Sequence, residues 1–271
     1  MKRGEKFEEK KKTQVFGGES FIGGAWVEKG KGKRNDIAAI QSVIASGASD
    51  KELWENHFDF MLRNFRAVRE YKKVLSGSRS WKTELWLYLG VPGTGKSFMA
   101  RSENPSFYVK PACQWWDLYE GQEVVIIDEY ERHRKFLSYH DLLVLSDDSP
   151  QLVEVKNGFT QFLAKKVIIT ANSVPVEWFA DRIKNNLGIS AFISRLTGVR
   201  VFRYYTGKES GVPFSFVSSR GGVKVDAIYE EFSGVGGVED FVRLMNDGLS
   251  SHSFSCDSLG VEYGDDWRQQ F

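Results

Sequence analysis

The stretch LWLYLGVPGTGKS, residues 85–97, decides the fold. Its first five residues form a continuous apolar run that ends at a glycine, which is typical of a strand buried on both faces of a parallel sheet. The next eight residues match the phosphate-binding loop pattern GxxxxGK[ST], in which backbone N–H groups converge on phosphates, the lysine adds positive charge and the hydroxyl can bind magnesium. The sequence therefore predicts a nucleotide-phosphate site made of Gly90, Val91, Pro92, Gly93, Thr94, Gly95, Lys96 and Ser97.

Two more apolar runs, residues 124–127 and 167–169, follow the loop and are separated by polar and helical stretches. Buried strands joined by crossovers predict an α/β fold with a central parallel sheet. The second run ends in Asp128 and Glu129. We expect Asp128 to hold magnesium through water and Glu129 to polarise the attacking water.

The third run leads into Asn172. An amide both donates and accepts hydrogen bonds, so we expect Asn172 to orient the attacking water and to respond to hydrolysis. The alternative is an asparagine that caps the turn before Pro175.

A β-hairpin is predicted over residues 152–162, where apolar residues alternate on both sides of Asn157-Gly158. Lys156 then lies at the hairpin tip, from which it would contact the phosphates of a nucleic-acid strand in a ring of subunits. The alternative is an ordinary exposed hairpin with a solubilising lysine. Lys165 and Lys166, which open the third strand, are further candidates for nucleic-acid contact.

The composition is that of an ordinary globular protein: 271 residues with 41% apolar and 27% charged side chains and a formal charge of +1. Residues 1–34 hold ten basic and five acidic side chains, so the charge is +5 there and −4 in the rest. Two cysteines are too few for a disulfide scaffold, a Cys-rich zinc site or an iron–sulfur cluster. The few cysteines, and charged residues at 1–6 where a secretory signal would need an apolar region, predict an intracellular protein. No run of 18 apolar residues occurs, so we expect no membrane span.

Four segments are predicted along the chain. Residues 1–34 form a basic arm, whose cluster at 29–34 is either a nuclear localisation signal or a flexible charged linker. Residues 35–78 form two helices, the first starting at Asn35 or Asp36 and the second at Ser49 or Asp50. Residues 79–205 form the domain that carries the phosphate-binding loop. Residues 206–271 are a Gly- and Ser-rich extension of unknown role with helical patterns near 225–232 and 238–246.

The second helix of the 35–78 segment has a basic face, formed by Arg63, Arg66, Arg69 and Lys73. This face is expected to contact nucleic acid or a neighbouring subunit; the alternative is a face that contacts only solvent.

The order of these motifs resembles the superfamily 3 helicase domain of replication-associated (Rep) proteins from circular single-stranded DNA viruses, particularly circovirus-like ones. The resemblance covers about residues 24–203. Its matching stretches are RNFR at 63–66, WKT at 81–83, GVPGTGKS at 90–97, WWDLYEGQEVVIIDE at 115–129, FLAK at 162–165, IITAN at 168–172 and SRLT at 194–197.

The resemblance implies a P-loop NTPase related to AAA+ ATPases that uses ATP and Mg²⁺ and forms a hexameric ring. The helical unit at 35–78 would be the oligomerisation collar, and Arg195 would be the arginine finger that completes the neighbour's active site. Expected partners are single-stranded DNA, with RNA as an alternative, and full-length Rep; the expected location is the host nucleus.

The chain also departs from the family. Rep proteins carry an endonuclease domain with a His-hydrophobe-His motif and a YxxK tyrosine ahead of the helicase motifs. None of the four histidines here, at 57, 133, 140 and 252, has that spacing, and the YxxK match at 205–208 follows the helicase motifs. We therefore expect no nickase activity and interpret residues 1–34 as an arm or a remnant of that domain. A non-catalytic replication accessory and an RNA-directed helicase remain the alternatives.

Overall fold

The computed structural model describes residues 35–156, 158–185, 187–207, 211–218 and 222–246. The predicted basic arm at 1–34, with its candidate localisation signal, and residues 247–271 lie outside the described residues. The chain divides into two compact units, Met1–Phe65 and Arg66–Phe271.

The described part of the first unit is helical. It contains α1 (Asn35–Ala45), α2 (Asp50–Asn56) and the first half of α3 (Phe58–Leu75). Ser49 begins α2 with a capping box, since its side chain accepts a hydrogen bond from the backbone of Glu52 and the Glu52 carboxylate accepts one from the backbone of Ser49. The predicted single second helix is interrupted at His57, whose backbone leaves the helical region (φ −135°, ψ 40°). The interruption separates α2 from α3.

The second unit is built on a seven-stranded sheet. Its strands are β1 (Glu84–Gly90), β2 (Phe107–Val109), β3 (Val124–Ile127), β6 (Lys166–Ala171), β7 (Leu196–Tyr204), β8 (Val212–Val217) and β9 (Lys224–Ser233). They lie in the order β2-β3-β6-β1-β7-β9-β8. The first five strands along that order are parallel, and β9 and β8 continue the sheet antiparallel. The predicted α/β fold with a central parallel sheet is confirmed.

Both faces of the sheet are covered, which explains the continuous apolar runs. Leu85, Leu87 and Leu89 of β1 belong to the larger core cluster on one face, whereas Tyr88 belongs to a second cluster with Met99 and Phe202 on the other face. Side chains alternate between faces along a strand, so a strand buried on both sides needs apolar residues at every position.

Short helices connect the strands. They are α4 (Lys96–Ser102), α5 (Tyr130–His133), α6 (Tyr139–Leu145), α7 (Pro175–Trp178), α8 (Ala180–Lys184) and α9 (Ser190–Ile193), with α10 (Gly234–Asn246) following the last strand. Within the described ranges, no helix is both long and apolar enough to cross a membrane.

The predicted hairpin is confirmed as β4 (Leu152–Val155) paired antiparallel with β5 (Gly158–Gln161). Val155 pairs with Gly158, so Lys156 lies in the connecting turn.

The region after residue 205 differs in part from expectation. The helical pattern near 225–232 is wrong, because these residues lie in β9, which pairs with β7 from Gly198↔Ser233 to Tyr204↔Ala227. The spacing of apolar residues in this segment is compatible with a helix. In the folded protein the segment instead forms backbone hydrogen bonds with β7 along seven residue pairs. The second pattern, at 238–246, is confirmed as part of α10.

Candidate functional site

The phosphate-binding loop lies at the carboxyl end of β1 and is shaped by glycine. Gly93 and Gly95 both have φ of +84°, in the left-handed region. A Cβ atom at Gly93 would lie 2.6 Å from the Tyr204 hydroxyl, and one at Gly95 would lie 2.7 Å from the Phe216 ring. Glycine is therefore required here both by backbone conformation and by close approach of neighbouring side chains.

Lys96 is buried under this loop, with 7% of the residue exposed. Its Nζ donates to the carbonyls of Gly90 (2.7 Å) and Val91 (2.9 Å) and to Asn172 Oδ1 (2.9 Å). Burial lowers the pKa of Lys96 to about 8, and the carboxylates of Glu131, Asp128 and Glu129 oppose that shift. The ammonium group is thus mostly charged at neutral pH, and its present acceptors are neutral oxygens that phosphate oxygens can replace.

Asp128 follows β3 and is linked to the loop. Ser97 Oγ donates to Asp128 Oδ1 at 2.5 Å, Thr170 Oγ1 donates to the same oxygen at 2.8 Å, and Arg101 lies 3.2 Å from Oδ2. Sequence reasoning assigned no role to Thr170, although it stands two residues before Asn172 in the quoted motif.

The oxygen donors around Asp128 suit a magnesium ion. Mg²⁺ prefers hard oxygen ligands and is usually held by one or two protein groups together with waters and substrate phosphates. Ser97 Oγ and the Asp128 carboxylate supply such groups side by side. Across the described residues no group of three or more His, Cys, Asp or Glu side chains forms a metal cage. The donor set therefore fits Mg²⁺ brought with a nucleotide.

Glu129 has a strained backbone, with φ of +55°. Such a conformation costs a non-glycine residue about 1 kcal/mol or more and is often found at functional sites. Its N–H donates to Thr170 Oγ1 at 2.8 Å, which fixes the turn between β3 and α5. The half-exposed carboxylate lies 3.4 Å from Arg132.

Glu131 holds the Asn172 loop in place and was missed by sequence reasoning. Its Oε1 accepts hydrogen bonds from the backbone N–H groups of Asn172 (2.8 Å) and Ser173 (3.0 Å) and from Ser173 Oγ (2.9 Å). The two partners are more than 40 residues away along the chain, so no local pattern could have indicated the contact.

Lys96, Ser97, Asp128, Glu129 and Asn172 line one cavity of about 580 Å³, a volume typical of small-molecule sites. The lining comes from the phosphate loop and α4, from Asp128, Glu129, Thr170 and Asn172, and from residues 216–218 at and just after the end of β8. Of the residues predicted for the nucleotide site, the lining contains Pro92, Gly93, Gly95, Lys96, Ser97, Asp128, Glu129 and Asn172. Gly90, Val91 and Thr94 belong to the same loop but are buried, and Arg195 does not line the cavity.

Arg195 lies at the opposite edge of the sheet. It directly precedes β7, which runs parallel to β1, whereas the phosphate loop follows the carboxyl end of β1. The seven residues of β1 span six steps of about 3.3 Å, which separates the two edges by about 20 Å. Arg195 donates to the carbonyl of Ala191 (3.0 Å) and lies 3.7 Å from Asp147.

Asp147, the partner of Arg195, belongs to a segment that the buried Arg79 supports. The Arg79 guanidinium donates to the carbonyls of Val144, Leu145 and Ser149, on both sides of Asp147. This arrangement holds the backbone on both sides of Asp147, the acidic partner of Arg195.

The three candidate nucleic-acid lysines each have an acidic neighbour. Lys165 lies 2.5 Å from Glu123 and Lys166 lies 3.9 Å from Glu84, both at the amino ends of the parallel strands. The backbone N–H of Lys156 donates to Asp117 Oδ1 at 2.8 Å, and its Nζ lies 3.7 Å from Oδ2. Their binding roles stay predictions.

The chain is similar to a known protein family and to several viral proteins. Residues 85–173 match the family model described as RNA helicase. The replication-associated protein of Porcine circovirus 2 is 33% identical over 196 residues, which cover 70% of this chain and 60% of that protein. The corresponding protein of Porcine circovirus 1 is 35% identical over 191 residues, 68% of this chain and 59% of the relative. That of Human associated cyclovirus 1 is 35% identical over 152 residues, 52% and 53% of the two chains. The chain therefore spans about 60% of the length of the two porcine circovirus proteins.

Proposed function

Because this chain carries a Rep-like superfamily 3 helicase domain, we propose that it hydrolyses ATP to translocate on single-stranded nucleic acid during replication of a circular single-stranded DNA virus. One observation carries the proposal. At the carboxyl ends of β1, β3 and β6, hydrogen bonds join Lys96 to Asn172 and Ser97 to Asp128 in a single cavity.

Five residues of the cavity have catalytic or binding tasks in this proposal. Lys96 and the loop N–H groups bind the phosphates, while Ser97 and Asp128 hold Mg²⁺. When bound, this ion neutralises the charge of the phosphate oxygens. Glu129 polarises the attacking water and Asn172 orients it, helped by the Glu131 contacts that fix the Asn172 backbone.

Arg195 acts from a neighbouring subunit in this proposal. A distance of about 20 Å separates it from the phosphate loop of its own chain. A ring in which the amino edge of one subunit faces the carboxyl edge of the next would bring it to the γ-phosphate. A hexameric ring assembled through a helical unit at 35–78, with an ATPase domain at 79–205, remains part of the proposal.

The hairpin carrying Lys156 is the proposed contact with the translocated strand, with Lys165 and Lys166 as further contacts. Single-stranded DNA is the first candidate because the relatives are replication-associated proteins of circoviruses. RNA is the second candidate because the matching family model is described as RNA helicase. Phosphate contacts do not distinguish the two polymers. Assembly with full-length Rep and a location in the host nucleus stay predictions.

The test measures ATP hydrolysis by the purified chain with and without single-stranded DNA or RNA, together with its mass in solution. We expect hydrolysis that either strand stimulates and a mass several times that of one chain. Lys96→Ala, measured in parallel, defines the background. Wild-type hydrolysis no faster than this variant, with and without nucleic acid, would contradict the enzyme and favour a non-catalytic accessory.

A further inference from the structure

An aromatic surface borders the nucleotide cavity. Phe98 of α4 and Phe216 of β8 stack with ring centroids 5.1 Å apart and planes at 21°. Phe214 lies beside Phe216, with centroids 5.9 Å apart and the same interplanar angle. Phe98 and Phe216 line the cavity that also contains Lys96 and Asp128. Residue 216 lies outside the segment that matches the helicase family model.

The position of this surface relative to the phosphate loop is fixed by packing. A Cβ atom at Gly95 would lie 2.7 Å from the Phe216 ring and 2.9 Å from the Phe214 ring, so both rings pack directly on the residue that precedes Lys96. Phe214 also contacts Phe202 and Tyr229, with centroids 6.0 and 6.1 Å away. β8 is therefore anchored to the sheet at the point where it reaches the loop.

Part of this surface is uncovered. Phe98 is 42% exposed, and Val217, which follows Phe216 in the chain, is 65% exposed. Uncovered aromatic area on a cavity wall favours a ligand that removes it from water. Gly93, Gly95 and Lys96 line the same cavity, which favours phosphate at that part of it. A ligand that satisfies both parts carries phosphates at one end and a flat ring at the other.

On the basis of the proposed function, we infer that Phe98 and Phe216 form the surface on which the base of the bound nucleotide stacks. β8 is then part of the nucleotide site rather than a separate extension. Stacking contributes affinity for any base, because every base has a π-face. The contact therefore strengthens nucleotide binding without selecting one base by hydrogen bonds.

The experiment compares two ligands, one with a base and one without. ADP and inorganic pyrophosphate, each with Mg²⁺, are titrated calorimetrically into the full chain. We expect Phe216→Ala and Phe98→Ala each to weaken ADP binding about tenfold or more and to leave pyrophosphate binding unchanged. Phe98→Trp should retain ADP binding. Val212→Ala, a truncation on the exposed part of the same strand, is the matched control and should bind both ligands as wild type does.

Each outcome separates the base surface from the phosphate site. Phe98 is exposed, so its truncation tests the inference even if Phe216→Ala does not fold, and the thermal unfolding midpoint of each variant verifies folding. Unchanged ADP affinity in Phe98→Ala, or equal weakening of both ligands in folded variants, would overturn the inference while leaving the phosphate site intact. If the wild-type protein binds neither ADP nor pyrophosphate, the result contradicts the proposed function and this inference with it.

Discussion

The two edges of the parallel sheet carry polar residues of different kinds. At the carboxyl edge, Lys96, Ser97, Asp128 and Asn172 are partly or fully buried and hydrogen-bonded to one another or to the loop. At the amino edge, Arg195, Lys165 and Lys166 pair with the exposed or partly exposed carboxylates of Asp147, Glu123 and Glu84.

This difference indicates what each edge can do within one chain. The carboxyl edge contains a connected set of groups for phosphate and metal binding. Ion pairs in water contribute little, at most about 1 kcal/mol, so the cations of the amino edge can exchange their partners for an anion supplied from outside. We therefore expect changes at the carboxyl edge to act within a subunit and changes at the amino edge to depend on a second molecule.

The largest effect is expected for Lys96→Ala and Glu129→Gln, which should both reduce ATP hydrolysis to background. They should differ in binding, because Lys96 holds phosphates whereas Glu129 acts on water. Glu129→Gln should still bind ATP, as calorimetry can measure. Glu239→Gln, at an exposed position of α10, is the matched control. Hydrolysis by Glu129→Gln at the wild-type rate would show that another group polarises the water.

Arg195→Ala is expected to lower turnover by about a thousandfold or more, because an arginine finger stabilises charge that develops only in the transition state. The comparison of the edges predicts that this residue acts in trans. Mixing inactive Arg195→Ala with inactive Lys96→Ala should then restore some hydrolysis, because some interfaces of mixed rings are intact. Absence of recovery after demonstrated subunit exchange would contradict the shared site.

A smaller effect is expected at Lys156, which lies in the turn of the β4–β5 hairpin and does not line the nucleotide cavity. Lys156→Ala should keep basal hydrolysis but lose stimulation by single strands and unwinding. The slope of log affinity against log salt should fall by about one for each phosphate contact removed. Lys224→Ala, another exposed lysine paired with an aspartate, is the control.

An unchanged salt slope with normal unwinding in Lys156→Ala would place the strand elsewhere. The next candidate is the basic face of α3, formed by Arg63, Arg66, Arg69 and Lys73.

The smallest effect concerns the protonation of Lys96. Its pKa of about 8 lies below the ordinary value because burial disfavours the charge, and bound phosphate should raise it again. Below pH 8 the group is mostly charged with or without nucleotide, so affinity should vary little. Above pH 8 the free protein loses this proton and binding must restore it, so ADP affinity should fall by up to about tenfold per pH unit.

Calorimetry in two buffers with different ionisation enthalpies measures this proton uptake at pH 7 and pH 9. Lys96→Arg keeps its charge at both values and should show no uptake at the site. Equal proton uptake by wild type and Lys96→Arg at pH 9 would contradict the assignment to Lys96.

The site was predictable from sequence where its signal is local. The phosphate loop, the carboxylates after β3 and Asn172 after β6 each follow an apolar run, and parallel strands place their carboxyl ends at one edge. Glu131, Thr170 and Phe216 were not predictable in this way. Each acts through a partner at least 40 residues distant, such as Asn172 for Glu131, Asp128 for Thr170 and Phe98 for Phe216.

The fold shows the same division. Continuous apolar runs predicted β1, β3 and β6, and Asn157-Gly158 between alternating segments predicted the β4–β5 hairpin. β2 and β7 carried no strand prediction, and the pattern over β9 was taken for a helix although these residues pair with β7. Helical spacing and strand spacing are both compatible with short mixed segments, so the available pairing partner decides between them.

The sequence by itself determined a phosphate-binding loop, the buried strands of the sheet around it and the order of the motifs, because each motif and each strand depends on residue types and spacing within one short stretch. Only the tertiary structure decided that Arg195 lies on the edge opposite the loop, that Asp117 and Lys156 meet, and that β8 brings Phe216 to the nucleotide cavity. The physical reason is that strand order and direction are set by hydrogen bonding and packing between distant segments, which local periodicity does not encode.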